Sequence, residues 1–348
     1  MNILILTRYP TKGPSSRYRF LQYLPQLTAA GHHFEIRPFF TTRYLETIYS
    51  GKRPNPLYVM GRYLARLGAC LRARRFDLVW MEGELLPLIP APFERALHAL
   101  LPPRRIYDFD DAVWLRYKGK PFLERKFLSV LRGAAGIVCG NPWLENYCRQ
   151  VNERIVQIPT VVDWPKYAAA EAPLEGCTIG WIGSPSTLFF LENLYPALRR
   201  LATEMPLRLH IVGAESSDPE LDITCSSWSE AAEVSFIERF DIGVMPLDPT
   251  PWAEGKCGLK LIQYMAAGVP AVASPVGVNT QLIEGSGGGY LAGDEEAWVT
   301  HLGTLLSDGV RRRQCGLAGR AYAQQHLTVQ AQGPKLISFL EETVRGQG

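Results

Sequence analysis

The sequence predicts an α/β protein made of two doubly wound parallel-sheet domains in succession. Three observations carry this. Short apolar strands alternate with helical stretches through the first half. A second strand–helix series begins at Cys177 after a proline-containing segment with little periodicity. The length of 348 residues suits two domains of roughly 150 residues each.

Residues 2–7 (NILILT) form the first expected strand. A polar loop from Arg8 to about Ser16 leads to a helix over 17–30, closed by Gly31. The next strand covers 33–38. A basic amphipathic stretch follows over 57–74, with Val59, Tyr63, Leu64, Leu67 and Leu71 near helical spacing. Strands recur at 77–81, 104–108, 136–139 and 154–158. The interdomain linker is expected near Pro165–Pro173. This gives domains at 1–165 and 174–333, with a last helix from Pro334 that could return to the first domain. In the second series the strands are 177–182, 207–212, 241–245 and 270–273, with a helix over 295–306 among those between and after them.

Composition narrows the class. Hydrophobic residues make up 47% and charged residues 20% of the chain, which supplies cores and argues against disorder. No apolar run reaches the ~18 residues of a membrane span. The opening MNILILTRYP is too short, and its charge too late, for a signal peptide. Seven cysteines with no C-x-x-C pair fit a reducing cytoplasm better than a zinc site or a disulfide framework. The net charge of +3 hides an asymmetry. Residues 1–165 hold 24 Lys/Arg against 13 Asp/Glu, a net of +11, and the remainder nets −8. The basic half suits an anionic partner, either a membrane surface or a phosphorylated substrate. Arg62, Arg66, Arg72, Arg74 and Arg75, interleaved with Leu and Tyr, are the candidates to lie on anionic lipid. No nucleic-acid reader motif accompanies the charge, so nucleic acid is not expected.

Three loops at strand ends are rich in small and polar residues. The first is Lys12–Arg17, containing Gly13, Ser15 and Ser16. The second is Gly183-Ser184-Pro185-Ser186-Thr187, and the third is Glu254-Gly255-Lys256-Cys257-Gly258 ahead of the helix 259–267. A helix N-terminus offers unpaired N–H groups and the positive end of a dipole. Lys256 at that terminus and Lys260 one turn in would add two cations, a credible diphosphate site. The chain has neither a P-loop G-x-x-x-x-G-K-[ST] nor a G-x-G-x-x-G after its first strand. None of its six histidines sits in a triad context.

Residues 254–279, EGKCGLKLIQYMAAGVPAVASPVGVN, strongly resemble the donor-binding signature of retaining GT-B glycosyltransferases of the family-four type. The run Met265–Pro270 matches its last part. The resemblance takes in the opening strand and loop, Gly140-Asn141, Pro159 with Val162-Asp163, Asp241–Pro246 and the pair Gly319-Arg320. It implies two Rossmann-like domains facing a cleft, a nucleotide-sugar donor and a glycan or lipid-linked acceptor. It implies neither cofactor nor metal, the nucleotide-sugar being a substrate. A role in polysaccharide synthesis, in the cytoplasm or on the inner face of the membrane, is the matching expectation. On this reading Gly183, Ser184, Ser186, Thr187, Glu254, Gly258, Leu259 and Gln263 bind donor, and Lys256 and Lys260 stabilise the leaving diphosphate. Gln263 stands where the family carries the carboxylate that contacts the donor ribose, and Glu254 is displaced by one residue from the other acidic position.

The cluster Asp108, Asp110 and Asp111 follows a first-domain strand. Three carboxylates in four residues could hold a divalent cation, whereas the resemblance implies metal independence. It places Asp110 where many members carry a histidine near the acceptor, and Asp111 beside it. Asp110 would orient the acceptor hydroxyl or accept its proton. Asp108 and Asp111 could instead cap the loop or pair with Arg104 or Arg105. Arg17 and Arg19 open the first long helix against its dipole, which suggests contact with an anionic acceptor or donor group, and Gly13, Ser15, Ser16, Arg17, Arg19 and Asp111 are the residues expected on the acceptor side. Two other functions fit the same fold: a nucleotide-sugar epimerase, and a sugar-nucleotide-binding scaffold without activity.

Overall fold

The computed structural model describes residues 1–102, 104–167 and 176–346. It divides into two compact units, Met1–Thr160 with Gln332–Gly348, and Val161–Ala331. Most of the expected linker, from 168 onward, lies outside the described residues. Its first part, Trp164–Tyr167, is a short 3-10 turn.

The first unit is a parallel sheet of β1 (Asn2–Leu6), β2 (His33–Ile36), β3 (Leu78–Glu82), β4 (Arg105–Phe109), β5 (Gly136–Cys139) and β6 (Ile155–Gln157). Their order is β2-β1-β3-β4-β5-β6. Burial on both faces explains the unbroken apolar runs. Ile3 to Leu6 and Leu78 to Met81 are at most 1% exposed. The order reverses between β1 and β3, and ligands of such sheets collect at the carboxyl ends beside that reversal. Helices Pro56–Arg72, Ala91–His98 and Pro142–Arg149 are crossovers of this unit. The last is capped by Asn141, whose Oδ1 accepts from the Leu144 amide at 2.9 Å.

The second unit repeats the plan with β7 (Thr178–Ile182), β8 (Arg208–Val212), β9 (Ile223–Ser226), β10 (Ile242–Met245), β11 (Ala271–Ala273) and β12 (Gly289–Leu291). The order is β12-β11-β10-β7-β8-β9, reversing between β7 and β10. Strands β9 and β12, absent from the sequence expectation, close the two edges. The core packs Trp181, Leu198, Leu209, Val244, Leu302 and their neighbours between sheet and helices.

Helix Leu259–Ala266 is fixed on this sheet by two contacts of its last turn. Near its C-terminal end, Tyr264 lies against Gly243, where a side chain would collide with the ring. Its hydroxyl accepts from the Ile182 amide at 3.3 Å. The helix's last carbonyls meet Arg320, which donates to the Ala266 oxygen and, at 2.7 Å, to the Tyr167 oxygen. Gly319 lies against Met265, so the Gly-Arg pair seats the helix.

Candidate functional sites

In the second unit the reversal point is bordered by the loops after β7 and β10. Gly213, at the end of β8 with φ +91°, lies against the Gly183 carbonyl, and any side chain there would collide with it. The loop after β8 is thereby held beside Gly183. The Ser184 and Ser186 hydroxyls are 2.8 Å apart, and Thr187 Oγ1 donates to the Ser184 oxygen at 3.1 Å. Ser184 and Ser186 are exposed, leaving this turn open to a ligand.

After β10, Thr250 caps the short helix Pro251–Glu254, its Oγ1 accepting from the Ala253 amide at 3.2 Å. Gly255 turns the chain, and Gly258 adopts φ +67° as the N-cap of Leu259–Ala266. A Cβ on Gly258 would sit 2.8 Å from Leu282 and 3.0 Å from Val278. Both the left-handed backbone and the contact therefore demand glycine. Among the described residues no side chain caps the helix, and the first-turn amides of such a helix end suit an anion. The next helix, Val278–Ser286, starts beside it. A Cβ on its N-cap Gly277 would lie 2.9 Å from the Glu254 oxygen.

Lys256 and Lys260 stand at this end. The Lys256 Nζ lies 5.8 Å over the Trp252 ring, and the Lys260 Nζ lies 5.1 Å over the Trp181 ring of β7. Lys260 is half-buried and, among the described residues, makes no ion pair. Burial, and secondarily the like charge of Lys256, pull its pKa down to about 7. Lys260 thus places positive charge beside the start of this helix. Gln263 is 2% exposed on the same helix, and Glu254 is half-buried.

In the first unit the reversal between β1 and β3 is organised by Glu82, a residue that sequence reasoning missed. Its carboxylate accepts from the Arg8 amide at 2.7 Å and from the Ser15 and Ser16 hydroxyls at 2.5 Å each. Ser16 Oγ also accepts from the Tyr9 amide at 2.9 Å. Both serines are therefore committed to ordering the loop. Gly13 is required because Tyr9 packs where a side chain would be. Burial raises the Glu82 pKa, the backbone and serine donors oppose that, and the charge of Asp110 adds to it. The one available signal was its place, a carboxylate ending the apolar strand LVWM.

Arg19 departs from expectation. It is 1% exposed, and its Nε and Nη2 donate to Asp108 Oδ1 at 2.8 and 2.7 Å. Its Nη1 donates to the Ile158 carbonyl at 2.6 Å. Asp108 also accepts from Trp80 Nε1 at 3.1 Å. Asp108 thus pairs with Arg19 rather than with Arg104 or Arg105, and burial pushes its pKa up to about 7 against the pull of Arg19. With Asp108 turned inward, the three aspartates do not converge. Among the described residues no group of three His, Cys, Asp or Glu is placed to hold a metal ion. Asp110 and Asp111 are half-buried beyond β4. Arg17 is 7% exposed, with its guanidinium 4.8 Å from the Tyr18 ring.

Two arginines expected on a lipid-facing surface point the other way. Arg66 is 5% exposed and donates to the Thr7 carbonyl at 2.8 Å. Arg62 donates to the Phe39 and Pro38 carbonyls at 2.6 and 2.9 Å. Strand-end carbonyls of the neighbouring loops attract both guanidiniums inward.

Residues 177–308 match the model of a family described as glycosyl transferases group 1. Among solved structures, sucrose-phosphate synthase from Thermosynechococcus elongatus aligns with a TM-score of 0.72 at 16% identity, covering 99% of this chain and 100% of that one. A glycosyltransferase from Rickettsia africae aligns at 0.70 and 14% identity over 99% of both chains. Anabaena Alr3699/HepE, solved with UDP and glucose, aligns at 0.70 and 14% over 98% of this chain and 99% of that one. No curated protein matches the sequence. The two parallel six-stranded sheets with flanking helices have the GT-B fold. The group 1 match falls within the second unit, and the likeness of fold extends over nearly the whole chain.

Proposed function

We propose that this protein is a glycosyltransferase that retains anomeric configuration and moves a sugar from a nucleoside-diphosphate sugar to a hydroxyl of a glycan or lipid-linked acceptor. The carrying observation is Lys260, a half-buried ammonium without a carboxylate partner, beside Lys256 and an uncapped helix N-terminus. Two cations and a row of amides complement a diphosphate, and they neutralise the charge that grows on it as the glycosidic bond breaks. This supplies electrophilic assistance from the chain's own groups. The Ser184–Thr187 turn would meet the sugar or phosphate. Gln263 would require a local rearrangement to offer its amide to the ribose.

In the first unit, Asp110 lies near Glu82, which the serines hold in place. Asp110 is the group proposed to orient the acceptor hydroxyl and take its proton, or pass it to the departing phosphate on the same face. The UDP and glucose bound by Alr3699/HepE support a donor of this class.

The test is incubation of the purified protein with UDP-, GDP- and dTDP-sugars and a membrane extract, following labelled sugar. Transfer with retained configuration supports the reading. Isomerisation of donor without acceptor would instead indicate an epimerase. Tight donor binding with neither transfer nor hydrolysis would indicate a scaffold.

A further inference from the structure

Helix Pro56–Arg72 contains no Asp or Glu. Its large side chains are divided unequally. Leu57, Met60, Leu64 and Leu71 are 76%, 60%, 63% and 68% exposed. At ~100° per residue these four fall within a sector of about 60°, a ridge roughly 20 Å long. The opposite side carries Arg66 and Cys70 into the core.

Positive charge surrounds the ridge. Lys52 and Arg53 are exposed before its start, and Arg72, Arg74 and Arg75 at its end. Along one flank runs a groove of about 370 Å³, to which Arg37, Arg62, Arg66 and Arg72 contribute. Its single carboxylate, Glu35, is already held by Arg37 at 2.6 Å and Arg75 at 2.7 Å. A second hollow of about 500 Å³ in the same unit is lined by Phe93, Phe122, Arg95 and Arg125. Phe122 is 87% exposed and held at φ +67°, a conformation rare for a large side chain.

We propose that this face of the first unit docks on an anionic lipid surface. The ridge would enter the acyl boundary, and the exposed cations at its two ends would meet headgroup phosphates. Charge complementarity selects this occupant. An apolar ridge bracketed at both ends by cations fits an interface of hydrocarbon beneath phosphate. A second copy fits poorly, because parallel and antiparallel pairing of two such helices would both bring cations against cations. The surface is not the one inferred from charge alone, since Arg62 and Arg66 turn inward and the leucines and Met60 face out.

The test is co-sedimentation of the full chain with vesicles of phosphatidylcholine alone or mixed equally with phosphatidylglycerol. Binding is expected to the anionic vesicles, weakening with added salt. The double variant Leu57→Ser/Leu64→Ser should lose affinity by at least about tenfold. Arg53→Ala/Arg72→Ala should lose roughly 30-fold. All four residues are exposed, so unchanged melting temperatures are expected and confirm that folding is intact. No binding, equal binding to both vesicles, or binding indifferent to both variants would overturn the proposal. So would a dimer in sedimentation that Leu57→Ser/Leu64→Ser dissolves, which would assign the ridge to a second copy. No nucleotide or sugar is present, so failure here leaves the transfer reaction standing.

Discussion

The Lys260 ammonium lies 5.1 Å over the indole ring of Trp181, at the point where strand order reverses in the second sheet. The ring shields one side of the charge, and Lys256 raises the local potential further. A protein that keeps a lysine there without a carboxylate holds a cost in the free state, which an arriving anion relieves.

Replacing Lys260 by Met should therefore separate stability from function. Donor affinity should fall by about 1.5–3 kcal/mol, the value of a hydrogen bond to a charged group, and turnover should fall with it. Stability at pH 6 should rise, by on the order of 1 kcal/mol after allowance for the group's partial exposure. Calorimetric binding of UDP and GDP together with urea unfolding checks both halves. A variant that binds and turns over like the parent would remove Lys260 from the site.

The pH dependence follows from the same lowered pKa. Lys260 titrates near 7 in the folded protein and near 10.5 when unfolded. Between those values the unfolded chain binds more protons, so this group makes stability climb as pH rises from 7 toward 10.5. Its full penalty is present below pH 7. Donor affinity should move in the opposite direction, weakening above pH 7 by up to about tenfold per pH unit. Titrations at a series of pH values, with Lys260→Met as reference, give the slope.

Gly258→Ala tests the turn that aims the helix. The substitution forces φ +67° on a residue with a Cβ and places that atom 2.8 Å from Leu282. A loss of roughly 1–3 kcal/mol is expected, and donor binding should weaken as the first-turn amides shift. Thermal melts and nucleotide titration report the two effects separately.

Arg19→Met should behave as a core lesion. It strands Asp108 without its ion-pair partner at about zero exposure. Destabilisation of roughly 3–5 kcal/mol is expected, measured by urea midpoint. A change in acceptor KM with an unaltered midpoint would show instead that Arg19 meets substrate.

The alternating architecture was legible because both sheets bury two faces, making strands such as LVWM unbroken apolar runs. The edges were not. Ile223–Ser226 is half polar, and Gly289–Leu291 opens on glycines that read as a turn. The lysines at 256 and 260 stood out through the pattern of glycines around a helix start. Glu82 did not, because its importance comes from Ser15 and Ser16, 66 residues or more away in sequence. Arginines were the least legible. Periodicity marks a stripe on Pro56–Arg72 but not which side faces the sheet. Carbonyl acceptors near Thr7 and Phe39, invisible in the local sequence, turned Arg66 and Arg62 inward.

The central claim is that Lys260 is the counter-charge of the donor's diphosphate. Proton-linked calorimetry tests it most directly: the tightest-binding nucleoside diphosphate is titrated at pH 8 in two buffers of different ionisation enthalpy. With Lys260 titrating near 7 in the free protein, binding should take up close to one proton, about 0.9 by linkage, and Lys260→Met should abolish that uptake along with most of the affinity. Binding of equal strength in both proteins, with no proton taken up by either, would contradict the account.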